Sequence, residues 1–191
     1  MVDLKEMLVK NKEKFIETYE KYDLYTKELI DFMGEEIYTS PASPMKHMYG
    51  AYPGGLTNHI LLVTKYAIKI NSLLPTEQRV ESSSSIIKVC FLHQIGKIRL
   101  FKFCESEWHR NNQGKIYEYN EDLVSMRVGE RSAYYALTNN IKMTEEEYQA
   151  IINFDKPEED KMAKFHGSTL STILKQANEL AIIEQKSDTN E

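Results

Sequence analysis

The sequence predicts an all-α helical bundle that carries one small β-hairpin. Three observations predict it. Apolar residues recur at helical spacing over the long stretches 3–33, 56–74 and 167–185. The run Ile86-Ile87-Lys88-Val89-Cys90-Phe91-Leu92 is apolar nearly all round, the signature of a helix buried on most sides. Period-two alternation is confined to the short run Lys115-Ile116-Tyr117-Glu118-Tyr119.

A chain of 191 residues suits one domain with an appended element and is long enough for a sizeable core. Its 41% hydrophobic and 28% charged content is ordinary for a globular protein. A net charge of -5 argues against a general nucleic-acid coat, which needs a basic surface, but leaves room for a local basic pocket. The two cysteines, Cys90 and Cys104, come without a secretory-type leader, so reduced thiols and a cytoplasmic setting are expected. No apolar run reaches the roughly 18 residues of a membrane span, so no membrane partner is expected.

Taken in order, residues 1–34 form a helical arm, with Leu4, Leu8, Phe15, Tyr19, Leu29 and Phe32 on its inner face. Tyr22-Asp23-Leu24-Tyr25 is its point of interruption and Gly34 its end. A second unit, 35–186, follows, and 187–191 is a frayed polar tail. Residues 39–55 are a loop, because Pro41, Pro44 and Pro53-Gly54-Gly55 cannot continue a helix; His47 in it is read as solvated. The next helix runs from Leu56 to about Leu74, where Pro75 stops it. Four serines, 82–85, cap the apolar helix that delivers His93 and Gln94 and stops at Gly96, before Lys97.

Residues 106–120 read as the hairpin, with Asn111-Asn112-Gln113-Gly114 as its turn. Two readings of it stand: a lid over a site, or an isolated ribbon held by stacking of Trp108, Tyr117 and Tyr119. A further helix opens near Met126 and runs to about Asn139. Arg127 and Arg131 near its start form either a phosphate clamp or ion pairs with Glu121, Asp122 or Glu130. Thr144 followed by three glutamates starts a helix over 143–154, a charged loop fills 157–160, and the last helix covers 167–185.

Several blocks carry chemistry: Tyr52-Pro53-Gly54-Gly55 leading to His59, Leu92-His93-Gln94-Ile95-Gly96-Lys97, Trp108 to Asn120, Met126-Arg127 with Arg131-Ser132, and Ala177-Asn178. Their order and spacing over about residues 49–184 resemble the HD-domain metal-dependent phosphohydrolases, in particular a subset from bacteria and phages. The resemblance implies a helical bundle whose metal is held by two histidines and two aspartates. His59 and His93 match the histidines. Gln94 and Asn178 stand where the aspartates belong, and Phe154 stands where that subset has a further histidine. Neutral amides are weak ligands for a divalent cation.

The resemblance therefore implies a degenerate site with no catalytic residue, no cofactor, and at most a weakly held metal on His59 and His93. The function it implies is non-catalytic binding of a phosphorylated small molecule, a nucleotide or cyclic oligonucleotide, so as to sequester a signalling nucleotide in the cytoplasm, of the host cell for a phage-encoded chain. His59, His93, Gln94, Lys97 and Asn178 would line the pocket. Lys97, Arg127 and Arg131 would supply charge, and Trp108 and Tyr117 would stack on a base. Two alternatives stay open: a working phosphohydrolase that uses His59, His93 and a carboxylate such as Asp155, and a helical interaction module whose old pocket is core. Homo-oligomerisation is compatible with each. The testable core of the expectation is that His59, His93, Gln94 and Asn178 meet in space.

Overall fold

The structure, a computed structural model, describes residues 4–156 and 167–187. Its centre is helix α5 (Ser83–Leu92), which starts where the Ser82 side chain accepts a hydrogen bond from the Ser85 amide. Ile86, Ile87, Val89, Cys90, Phe91 and Leu92 are all buried. Such a helix needs cover on several sides, and α4 (Gly55–Leu73), α7 (Val128–Thr138), α8 (Glu145–Asn153) and α9 (Thr169–Ser187) supply it. Burying each large apolar side chain of this kind stabilises by roughly 1.5–3 kcal/mol.

The arm is two helices, α1 (Leu4–Lys21) and α2 (Lys27–Met33), and the break falls where the sequence marks it. Asp23 takes a left-handed φ of 49°, and Thr26 restarts the helix by accepting from the Leu29 amide. The arm belongs to the same core. Phe15 stacks on Phe91 at 4.6 Å, and the Tyr25 hydroxyl donates to the Phe91 carbonyl at 2.8 Å. A one-turn helix α3 (Glu36–Thr39) leads into the proline loop. Gly55 opens α4 because that loop folds tightly against it: a Cβ there would strike the Gly50 carbonyl.

The expected hairpin over 106–120 is corrected. The ribbon pairs β1 (Phe101–Phe103) with β2 (Tyr117–Tyr119), antiparallel, with Phe101 opposite Tyr119 and Phe103 opposite Tyr117. Between them lies a helix, α6 (Glu107–Gln113). Ser106 caps it by accepting from the His109 amide, and Gly114, at a left-handed φ of 65°, ends it. Asn-Asn-Gln-Gly is thus a helix end and not a hairpin turn. The ribbon is not isolated either, since the Tyr117 amide donates to Pro44 and the Lys46 amide to Gly114.

Helix α8 starts at Thr144 in a capping box with Glu147, as the sequence predicts, and Glu147 also pairs with Lys88 at 2.8 Å. The expected charged loop 157–160 lies outside the described residues, as does 188–191 of the expected tail. Among the described residues no helix is long and apolar enough to cross a membrane.

Candidate functional site: a buried polar layer beneath a cationic groove

Three helices each deliver polar groups to one buried layer. Helix α4 brings His59, the turn after α5 brings His93 and Gln94, and α9 brings Asn178 and Gln185; all five are buried. His59 Nε2 lies 2.9 Å from Asn178 Oδ1, and His59 Nδ1 lies 2.7 Å from Gln185 Oε1. The Gln94 side-chain amide donates to the same Asn178 oxygen at 3.0 Å. The His59 and His93 rings are 6.2 Å apart. The four residues expected to meet do meet.

Burial keeps both imidazoles neutral. It lowers His59 to about 4, helped by the Lys97 charge, and lowers His93 to about 3, helped by its neighbour His59. A neutral ring has one N–H, yet both His59 nitrogens face amide side chains. Asn178 Oδ1 already accepts from Gln94, so it is the oxygen that takes the His59 Nε2 proton. Gln185 then turns its NH2 toward His59 Nδ1, which gives a partner to a Gln185 nitrogen otherwise buried without one. His93 donates from Nδ1 to the Cys90 carbonyl at 2.7 Å, which leaves Nε2 a bare, buried lone pair.

This donor set does not fit a catalytic divalent metal. It offers two neutral imidazoles and neutral amides, with no anionic oxygen to balance the cation. Among the described residues no three His, Cys, Asp or Glu side chains are placed to hold a metal ion together. Phe154 packs edge-on against His93 at 4.8 Å. Asp155 accepts from the Gly129 amide at 3.2 Å.

Above the layer sits Tyr49, its ring 4.5 Å from that of His59. Its hydroxyl accepts from the Lys97 ammonium at 2.8 Å, and Lys97 also donates to the Ala42 carbonyl at 2.7 Å. Lys97 is only 7% exposed, so it is not a solvated surface lysine. Its turn (Ile95–Lys97) is drawn hard against α7. A Cβ on Gly96 would lie 2.5 Å from the Val128 carbonyl and 3.0 Å from Arg131 Cβ. The Ser132 hydroxyl clamps the contact, accepting from the Gly96 amide at 2.9 Å and donating to the His93 carbonyl at 2.8 Å. That contact sets the Lys97 turn against Arg131, which is 4% exposed. Arg131 donates to the Val124 carbonyl at 2.6 Å, and its Nε is buried without a partner. Neither cation has a carboxylate partner among the described residues, so the ion-pair alternative fails for Arg131; Asp122 pairs with Lys102 instead.

Lys97 and Arg131 line a groove of about 610 Å³, with Arg127 at the start of α7 and with Phe101 and Tyr119 on the ribbon side. The polar layer does not line it, and Tyr49 stands between the two. The expected stacking pair is corrected. Trp108 is 59% exposed on α6, with its ring against His109. Tyr117 is buried edge-on to Phe103, at the end of the ribbon away from the groove. Tyr119, two residues on and on the same face, is the one that lines it. The sequence reading missed Gln185, Tyr49 and Phe101. For Gln185 a signal existed: it lies seven residues, two helical turns, after Asn178, hence on the same face.

Compared with known protein families, curated proteins and solved structures, the chain matches none.

Proposed function

We propose that the chain binds a phosphorylated small molecule, a nucleotide or cyclic oligonucleotide, in the groove above the polar layer and does not cleave it. One observation carries the reading: two buried cations, Lys97 and Arg131, line one groove with only neutral partners among the described residues. Buried charges are normally paired, and an anionic ligand would supply the pair. Guanidinium and ammonium groups are the usual phosphate partners.

The reading keeps the HD-domain relationship as its evolutionary premise: a hydrolase-like layer that has become neutral and retains structural use. It implies sequestration of a signalling nucleotide. The two buried, unpaired thiols fit a cytoplasmic setting, the host's for a phage-encoded chain. The hydrolase alternative has less support, because Asp155 is engaged at the Gly129 amide and Phe154 takes the place against His93.

The test is calorimetry with phosphate-bearing small molecules on wild type and Lys97→Met, which removes the charge and keeps the stem. Binding should fall on the order of tenfold or more, the value of a charge-assisted hydrogen bond. Chromatography should recover the ligand intact. Turnover to product would support the hydrolase alternative. No binding of any phosphate compound would leave an interaction module.

A further inference from the structure

The wall of the groove holds hydrogen-bond donors whose capacity is not spent. An ammonium has three N–H donors and no acceptor. Lys97 spends two of them, on the Ala42 carbonyl at 2.7 Å and on the Tyr49 hydroxyl at 2.8 Å, and the third has no acceptor among the described residues. Because Lys97 can only donate, Tyr49 is the acceptor of their bond, and its own O–H proton is left to donate elsewhere. Among the described residues nothing takes that proton, and Tyr49 lines the groove. Its ring is fixed, packed 4.5 Å from His59 and with the Lys97 ammonium 4.9 Å from its centroid. Arg131 enters the same groove from α7, its Cβ against Gly96, the residue before Lys97. It spends one N–H on the Val124 carbonyl, and its Nε–H is buried without a partner.

Three side chains therefore each bring an unspent donor to one groove. An unmatched buried donor costs free energy, so the ligand that fits best offers an oxygen to each. A phosphomonoester ends in three strong acceptor oxygens. A phosphodiester, the linkage of an oligonucleotide, has one fewer terminal oxygen.

We infer that the groove recognises a terminal phosphomonoester rather than a phosphodiester, with Lys97, Tyr49 and Arg131 each donating to one terminal oxygen. This rests on the anion-binding reading above and decides between its two ligand classes. Tyr49 is the residue that makes the distinction, because Lys97 occupies its oxygen and so turns the hydroxyl into a donor.

The experiment is isothermal titration calorimetry of the full chain with AMP and GMP, their 5′-methyl phosphate esters and the corresponding nucleoside 5′-sulfates. A monoester should bind on the order of tenfold or more tightly than its methyl ester, the worth of one charge-assisted hydrogen bond. The 5′-sulfate has the single charge of the methyl ester but three terminal oxygens, and it should also bind more tightly than the ester. Tyr49→Phe keeps the ring against His59 and removes the hydroxyl. Loss of the phenol partner of Lys97 acts on all these ligands alike, so the readout is the ratio of monoester to ester affinity, which should fall several-fold. Equal affinity of wild type for sulfate and ester overturns the oxygen count, and that comparison needs no variant. A methyl ester that binds as tightly as its monoester overturns the monoester assignment. An unchanged ratio in a folded Tyr49→Phe overturns the role of Tyr49. In those three cases the anion-binding reading still stands. No binding of any of these compounds, or of inorganic phosphate, removes both.

Discussion

Lys97 places a positive charge where water barely reaches, and its partners, a carbonyl and a phenol, are neutral. Its charge also reaches the polar layer, where it helps lower both histidines. This gives the molecule a defined acid response. His59 and His93 titrate near 4 and 3 in the folded state, below their ordinary 6.5. As pH falls below about 6.5 the unfolded chain takes up protons on these two rings and the folded chain does not. Their contribution is therefore fully present above pH 6.5 and is lost progressively on the way down through 4 and 3. The slope should approach about 1.4 kcal/mol per pH unit for each ring. Urea unfolding between pH 7 and 5 should show it, and His93→Gln, which keeps a polar group that does not titrate, should remove about half. A flat profile between those pH values would contradict the neutral layer.

Among the elements, the turn at Ile95–Lys97 holds the site together, because α7 touches it so closely. Gly96→Ala puts a Cβ into the Val128 carbonyl. It should cost about 1–3 kcal/mol in denaturant unfolding and weaken phosphate binding at the same time, by shifting the Lys97 turn away from α7. Thr144→Ala makes the contrast. It breaks the capping box at the end of α8 opposite to the groove residue Asp155, and should cost about 1 kcal/mol with unchanged phosphate affinity. The difference between these two elements also explains what could be read in the sequence. Thr144-Glu145-Glu146-Glu147 is a local code for a helix start, and it read correctly. Ser106 and Gly114 are as good a helix start and stop, but Asn111-Asn112 before the glycine resembles a hairpin turn, and that signal prevailed. His59, His93, Gln94 and Asn178 could be read because their order and spacing resemble a known pattern. Tyr49 and Phe101 could not, since only the packing of distant loops brings them to the site.

Across the whole molecule one buried network joins α4 to α9, and the same network tests the proposed relationship to metal sites. Gln94→Asp with Asn178→Asp would set two carboxylates where an amide nitrogen and an oxygen now lie 3.0 Å apart. Like charges at that distance repel unless a cation lies between them. The double variant should melt below wild type without metal, and Mn²⁺ should raise its Tm by several degrees through mass action while leaving wild type unchanged. Thermal melts with Mn²⁺ and with chelator decide it. No shift in the variant would mean that the place held by Phe154 must also carry a ligand. The network has a further consequence for how the chain is made. Asn178 follows His59 by 119 positions and Gln185 by 126. On the ribosome, α4 and α5 emerge long before α9, with His59 turned toward an interior that does not yet contain its partners. Contacts of such long range close slowly, and exposed apolar helix faces are what chaperones hold. His59 therefore gains its two partners only once α9 has been made and has packed against α4.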